Sequence, residues 1–191
     1  MDIEYFLGEG RFTQRDEEVR RALAQALSIG EGKNSLDKIT WWLNNAITPP
    51  GKSEKDIKIK YKEFRKRTAS KIIHSKRSNT CSDYAIVFLA LTREAGIPAK
   101  YVETIEEENL RFKPSNPLAT HSFTEVFTNG DWQIYDPCHG IKSEYTCANK
   151  PYIKVGEGLD FSCLFLEGKE GVFSIDNMKK LKELRDNYKF S

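Results

Sequence analysis

The sequence contains a cysteine, a histidine and an aspartate that could together form a nucleophilic site. Cys81 begins an apolar segment predicted to be a helix, and the amino end of a helix stabilises a thiolate through its dipole and its free amide groups. The same amides can bind negative charge that develops on a substrate oxygen. Most free cysteines are small buried hydrophobes, so this position alone leaves both interpretations open.

A predicted hairpin brings the other two residues toward each other. Asn129-Gly130 is a strong signal for a two-residue turn, with His121 at the start of the first strand and Asp136 at the end of the second. Centring the turn there makes His121 and Asp136 a diagonal pair, which long side chains can bridge. An imidazole held by a carboxylate beside a thiol is the arrangement that nucleophilic catalysis requires.

Helices are predicted in the first half of the chain. Apolar residues recur with helical spacing from Val19 to Leu27 and from Leu36 to Ile47, and we expect either Trp41 or Trp42 to pack in the core. Tyr84–Leu91 is hydrophobic on all sides, which indicates a buried helix.

Strands are predicted in the second half, where the pattern changes to alternating and β-branched residues. They cover residues 100–105, 122–127 and 132–135, with further strands near 152–155 and 161–166, and a terminal helix is predicted over Met178–Tyr188. Helices followed by antiparallel strands define an α+β fold. We therefore predict N-terminal helices with the Cys81 helix packed on an antiparallel sheet.

Composition restricts the class of protein. The chain has 191 residues, a net charge of +2 and 39% hydrophobic residues, which argues against both a disordered chain and a polycationic nucleic-acid binder. No apolar run approaches the roughly 18 residues of a membrane helix, and the first residues lack the layout of a signal peptide. We expect a cytoplasmic protein with no membrane association and four reduced cysteines.

Residues 52–77 stand apart from this balanced composition, because they hold eleven lysines and arginines against three acids. Such a run indicates either a solvated helical face, with Ile57, Tyr61 and Phe64 turned to the core, or a weak binding surface for an anionic partner. Few aromatic residues are available there to stack on bases, which favours the solvated face.

Several segments resemble the transglutaminase-like superfamily of papain-like thiol enzymes. They include Thr80–Ala85, the Gly-Ile-Pro-Ala run at 96–99, the stretch His121–Phe127 and the Trp132-x-x-x-Asp136-Pro137 motif. The resemblance extends over residues 67–137, and the helix bearing Trp41 and Trp42 also looks like one that precedes the core in such proteins. It implies a single transglutaminase-like domain over 1–191, with a helical part at 1–66, the catalytic core motifs at 67–137 and C-terminal strands and a helix at 138–191.

The resemblance also implies roles for the three residues. Cys81 would be the nucleophile, His121 the general base and acid, and Asp136 the group that orients His121, in an enzyme that forms a thioester with a peptide or protein substrate and releases it to water or to an amine. One departure is Phe123, where many members have tryptophan. The oxyanion donor is either the Cys81 backbone amide or, less directly, Trp42.

No cofactor or metal is expected, because the cysteine spacings match no zinc template and no calcium-site sequence is evident. Two further histidines rank below His121: His139 is predicted in a loop beside Cys138, and His74 either lines the cleft or is solvated. The main rival to a cysteine-dependent amide hydrolase or acyl transferase is a non-catalytic peptide- or protein-binding module that keeps the fold.

Overall fold

The order of elements follows the predicted change from helices to strands. The computed structural model describes residues 2–108, 120–142 and 144–164, together with Glu183 and Asp186. Within these residues the helices are α1 (Glu17–Ile29), α2 (Ser35–Ala46), α3 (Glu54–Glu63), α4 (Ala69–Ser75) and α5 (Cys81–Glu94). Short 3-10 helices lie at Glu4–Leu7 and Phe161–Leu164. None of the helices in this part of the chain is long and apolar enough to cross a membrane.

The strands form one antiparallel sheet in the order β4-β3-β2-β1-β6-β5. They are β1 (Ala99–Glu106), β2 (Thr120–Thr128), β3 (Asp131–Asp136), β4 (Gly140–Lys142), β5 (Thr146–Cys147) and β6 (Lys150–Gly158). The helix predicted over Met178–Tyr188 lies outside the described residues, apart from the helical Glu183 and Asp186. This arrangement confirms the predicted α+β class.

Helix α5 is the centre of the core. Every residue from Ser82 to Arg93 is buried, because the helix contacts α1, α2 and α4 on one side and β1 and β2 on the other. A helix enclosed in this way needs apolar side chains on all faces, as Tyr84–Leu91 provides. Cys81 is the first residue of this helix and lies half-buried at its end.

The predicted hairpin has the predicted register. Thr128 pairs with Asp131, and the two turn residues Asn129 and Gly130 have φ of 55° and 86°. Positive φ at both central positions is what the tight hairpin turn requires, and asparagine followed by glycine tolerates it best. The turn therefore sets which residues of β2 and β3 face each other.

Residues 52–77, expected to present either a solvated helical face or a weak anion-binding surface, do not form one continuous helix. The segment forms two helices, α3 and α4, separated by a turn in which Arg65 has φ of 54°. The hydroxyl of Thr68 then accepts from the Lys71 amide and starts α4. Ile57, predicted to face the core, is 45% exposed.

The strand predicted near 161–166 is also wrong where the structure describes it. Phe161–Leu164 is a 3-10 helix that buries Phe161 and Leu164. Asp160 starts this turn, because its Oδ1 accepts from the Ser162 amide at 2.8 Å and its Oδ2 accepts from the Phe12 amide at 2.7 Å. Apolar spacing in such a short segment does not distinguish a strand from a single helical turn.

Candidate active site

The first amides of α5, those of Cys81 and Ser82, lie beside the Cys81 thiol, whereas the Asp83 amide donates to the Thr80 carbonyl at 3.1 Å. The N-cap residue Thr80 is extended and does not cap the helix, since its hydroxyl bonds Ser82 Oγ at 2.7 Å instead of a backbone amide. The first amides of an α-helix have no partner inside the helix. The described part of the chain thus supplies no side-chain cap for these amides, and they can donate to an oxygen bound next to the sulfur.

His121 and Asp136 meet at the open end of the hairpin. Nε2 of His121 lies 3.1 Å from Oδ2 of Asp136, and the aspartate is fully buried. The His121 ring is also in hydrogen-bonding contact with the Cys81 thiol. Because Nε2 is engaged by Asp136, Nδ1 is left for the sulfur. The structure therefore brings the three predicted site residues together.

The contacts among these groups shift their pKa values in a consistent direction. Burial raises the pKa of Cys81, but the hydrogen bond and charge of His121 outweigh it, so the pKa of the thiol is lowered. Burial lowers the pKa of His121, but the hydrogen bonds with Asp136 and Cys81 raise it to about 10. The pKa of Asp136 is lowered because its bonds to His121 outweigh its burial. The arrangement favours a thiolate paired with an imidazolium.

A second histidine binds the same aspartate. Nδ1 of His139 lies 2.8 Å from Asp136 Oδ2, while the Cys138 amide donates to Asp136 Oδ1 at 2.9 Å. The sequence predicts His139 in a loop and assigns it no contact with Asp136. The signal that could have found it is the Asp-Pro-Cys-His spacing, because an aspartate commonly accepts from groups two and three residues further on in a turn.

Cys138 does not form a second thiol–imidazole pair with this histidine. Burial raises the pKa of the Cys138 thiol, and the charge of Asp136 adds to the effect. A thiol in that setting stays protonated and is a poor nucleophile. Cys81 and Cys138 thus lie near the same carboxylate, but the pKa of the Cys81 thiol is lowered and that of the Cys138 thiol is raised.

His74 and Trp42 do not line the site formed by Cys81, His121 and Asp136. Both border a groove of about 660 Å³ between α1, α2 and α4, with Trp41 and Asn45 in its wall, and Cys81, His121 and Asp136 are not part of its lining. Trp42 is the tryptophan that packs in the core. Of the two expected oxyanion donors, the Cys81 backbone amide is the one that lies at the thiol.

Aromatic rings surround the imidazole. Phe123 packs edge-on against His121 with ring centroids 4.7 Å apart, and Tyr152 lies at 5.8 Å. Phe123 stands where many proteins of the resembled family have tryptophan, and it keeps an aromatic contact at that position. Such packing restrains the ring orientation that the hydrogen bond to Asp136 requires.

The thiol of Cys147 lies close to the site residues His121 and Asp136. The ligand atoms of His121, Asp136 and Cys147 all lie within 4.8 Å of one another. Imidazole, carboxylate and thiolate are ligands that Zn²⁺ accepts. Cys147, on β5, was not singled out by the sequence, because the pairing of β5 with β6 brings it here from a part of the chain without a motif.

A cysteine at the start of a buried helix, with a histidine and an aspartate on neighbouring strands of an antiparallel sheet, is the architecture of papain-like thiol enzymes. The profile of the transglutaminase-like superfamily matches residues 22–137, and the chain belongs to that superfamily. No curated protein sequence gives a significant match.

A solved structure supports the same fold. The chain is similar to a protein from Cytophaga hutchinsonii that is provisionally named a cysteine protease, with a TM-score of 0.60 and 23% sequence identity. The match covers 85% of this chain and 49% of the other protein. The chain therefore spans about half the length of that structural relative.

Proposed function

We propose that the protein is a cysteine-dependent amide hydrolase or acyl transferase that acts on peptide or protein substrates. The observation that carries this proposal is the contact of the Cys81 thiol with His121, whose other ring nitrogen is held by the buried Asp136. A binding module has no need for a thiol whose pKa is lowered by an adjacent imidazole.

The chemistry follows from the positions of these groups. The Cys81 thiolate attacks the amide carbonyl, and the oxygen takes up negative charge that the amides at the start of α5 can accept. As the tetrahedral intermediate collapses, the C–N bond breaks and the leaving amine takes the proton of the His121 imidazolium. The product on the protein is a thioester at Cys81.

The second half of the reaction uses the same residues. Neutral His121 removes a proton from water or from an amine as that molecule attacks the thioester carbonyl. The C–S bond then breaks, which releases the acyl group as an acid or an amide and leaves the Cys81 thiolate beside the His121 imidazolium. Asp136 keeps the ring in the required orientation and tautomer through both halves. Water as acceptor makes the protein a hydrolase, and an amine makes it an acyl transferase.

Mass spectrometry after incubation with a peptide library tests this proposal. We expect a mass increase on the Cys81 peptide that hydroxylamine removes, as a thioester requires. Cys81→Ser should abolish the adduct, while the control Cys163→Ser should keep it. Peptides that bind the protein without ever forming an adduct on Cys81 would instead support the non-catalytic binding module.

A further inference from the structure

A buried chain of polar side chains leads from Cys81 into the core, away from His121. Cys81 Sγ lies 3.8 Å from Ser122 Oγ, Ser122 Oγ lies 2.7 Å from the Tyr101 hydroxyl, and that hydroxyl lies 2.5 Å from Glu103 Oε2. Glu103 Oε1 accepts from Arg65 Nη2 at 2.7 Å. Tyr101 and Glu103 are fully buried, Ser122 is 1% exposed and Arg65 is 4% exposed.

Strands β1 and β2 position most of these hydrogen-bonded side chains. Tyr101 and Glu103 are two residues apart on β1 and so share a face, which is the face that packs with α5 in the core. Ser122 on β2 is the direct cross-strand partner of Glu103. Arg65 reaches the same point from the turn between α3 and α4, where its positive φ is a conformation that few arginines adopt.

The number of protons on each group sets the direction of the hydrogen bonds. A glutamate paired with a guanidinium is a carboxylate that can only accept, so the Tyr101 hydroxyl must donate to Glu103. The single proton of Tyr101 is then used, and Tyr101 accepts from Ser122. The single proton of the Ser122 hydroxyl is used in turn, so this hydroxyl offers only a lone pair to the sulfur. The Ser122 backbone amide, in contrast, donates to the sulfur and lowers the pKa of Cys81.

We propose that Glu103 is a positioning residue that acts through Tyr101 and Ser122 to hold Cys81 as a proton donor, in opposition to His121. This inference rests on the proposed function, because it assigns a second influence on the same nucleophile. The neutral thiol donates to the Ser122 hydroxyl, whereas the thiolate faces a lone pair of that hydroxyl. The buried hydrogen-bond chain therefore favours the protonated form of Cys81, and His121 must overcome this effect to form the ion pair.

The electrostatics of the buried groups agree with this direction. The negative charge of Glu103 raises the pKa of Cys81, against the lowering by His121. The pKa of Tyr101 is raised well above its usual value by burial and by Glu103, so its hydroxyl stays protonated. Glu103 and His121 thus act on the sulfur with opposite sign.

Glu103→Gln should reverse the direction in which the buried hydrogen bonds donate. Arg65 attracts the amide oxygen and repels the amide nitrogen, so the Gln amide donates to Tyr101, Tyr101 donates to Ser122, and Ser122 donates to the sulfur. We expect the apparent pKa of Cys81 to fall by about one unit, which makes its alkylation roughly tenfold faster at a pH below that pKa. The measurement is the pH dependence of iodoacetamide labelling of the Cys81 peptide by mass spectrometry.

Further variants distinguish an effect transmitted through the buried hydrogen bonds from a direct effect of the Glu103 charge on Cys81. In a Ser122→Ala background, Glu103→Gln should lose more than half of its shift in the Cys81 pKa, because the hydroxyl that connects Tyr101 to the sulfur is gone while the backbone amide contact of residue 122 remains. The control Thr124→Val removes a buried hydroxyl two residues further along β2, which bonds the Tyr135 carbonyl, and it should leave the Cys81 pKa unchanged. An equal shift with and without Ser122 would overturn the proposal.

Glu103→Gln leaves Arg65 buried without a charged partner and can prevent folding. Tyr101→Phe provides the second test, since it cuts the chain but keeps the Arg65–Glu103 pair. It frees the Ser122 hydroxyl to donate to the thiolate, so the Cys81 pKa should fall, and an unchanged or higher value overturns the proposal. His121→Ala tests the proposed function separately: if it leaves the Cys81 pKa unchanged, the catalytic assignment fails, whatever Tyr101→Phe shows.

Discussion

Nε2 of His121 lies 3.1 Å from Oδ2 of Asp136 although the two residues are not cross-strand partners. The β2–β3 pairing runs from Thr128–Asp131 to Thr124–Tyr135 and ends there. Beyond it, His121 pairs with Thr104 on β1 and Asp136 pairs with Gly140 on β4. The hydrogen bond thus spans the open end of the hairpin, where each residue is held by the strand on its other side.

The Cys81–His121 contact predicts selective alkylation in mild acid. Because the pKa of Cys81 is lowered and that of Cys138 is raised, iodoacetamide at about pH 6 should label Cys81 well before Cys138. His121→Ala should slow Cys81 labelling by at least about tenfold at this pH, and Asp136→Asn should slow it less. His74→Ala, outside the site, is the control.

Equal labelling rates in the wild type and His121→Ala would contradict the pairing of these two groups. Labelling that begins only above about pH 8 would identify Cys81 as an ordinary buried thiol.

The His121 imidazolium should persist in alkaline solution. Its pKa is raised to about 10, above the unfolded value of about 6.5, so its proton stabilises the fold fully below about pH 6.5. This stabilisation is lost as the pH rises toward about 10. Nitrogen NMR shifts of the ring should show protonation well above pH 7, and both Asp136→Asn and Cys81→Ser should lower the midpoint. A midpoint near 6.5 in the wild type would refute the assigned contacts.

Arg93 should be essential for stability rather than reactivity. Its buried guanidinium donates to the Ala99 carbonyl at 2.7 and 2.9 Å, to Thr13 Oγ1 at 2.9 Å and to the Leu159 carbonyl at 2.7 Å. Arg93→Met leaves these acceptors without donors and should lower the free energy of unfolding by about 3 kcal/mol. Arg20→Met, which removes an arginine more than half exposed and paired with Glu94, should cost less than about 0.5 kcal/mol. Denaturant unfolding measures both.

Residues 52–77 should bind anions only weakly. Among the described side chains of this segment, four cations are already paired with acids, in Lys58–Glu54, Arg65–Glu103, Arg67–Asp83 and Arg77–Asp56. We expect low-affinity heparin binding that is lost between about 50 and 200 mM salt. Replacing the exposed Lys55, Lys62 and Lys66 by glutamate should abolish it, while Lys33→Glu should not. Binding that persists at high salt would instead indicate a specific anionic partner.

The sequence by itself determined the local elements of this protein. An apolar run after Cys81 predicted α5, and Asn129-Gly130 predicted the register of β2 and β3, because buried faces and two-residue turns are encoded by adjacent residues. The same patterns pointed to Cys81, His121 and Asp136 as the reactive residues. Their catalytic role stays a prediction, but their proximity follows from that hairpin and from the packing of α5 on the sheet.

Only the tertiary structure decided which distant groups meet. Arg65 and Glu103 are 38 residues apart and pair in the core, and Cys147 joins His121 through the β5–β6 pairing. Residues 52–77 form two helices, and the turn between them carries Arg65, whose guanidinium is buried against Glu103. Such contacts depend on the summed packing of several elements, which no local spacing records.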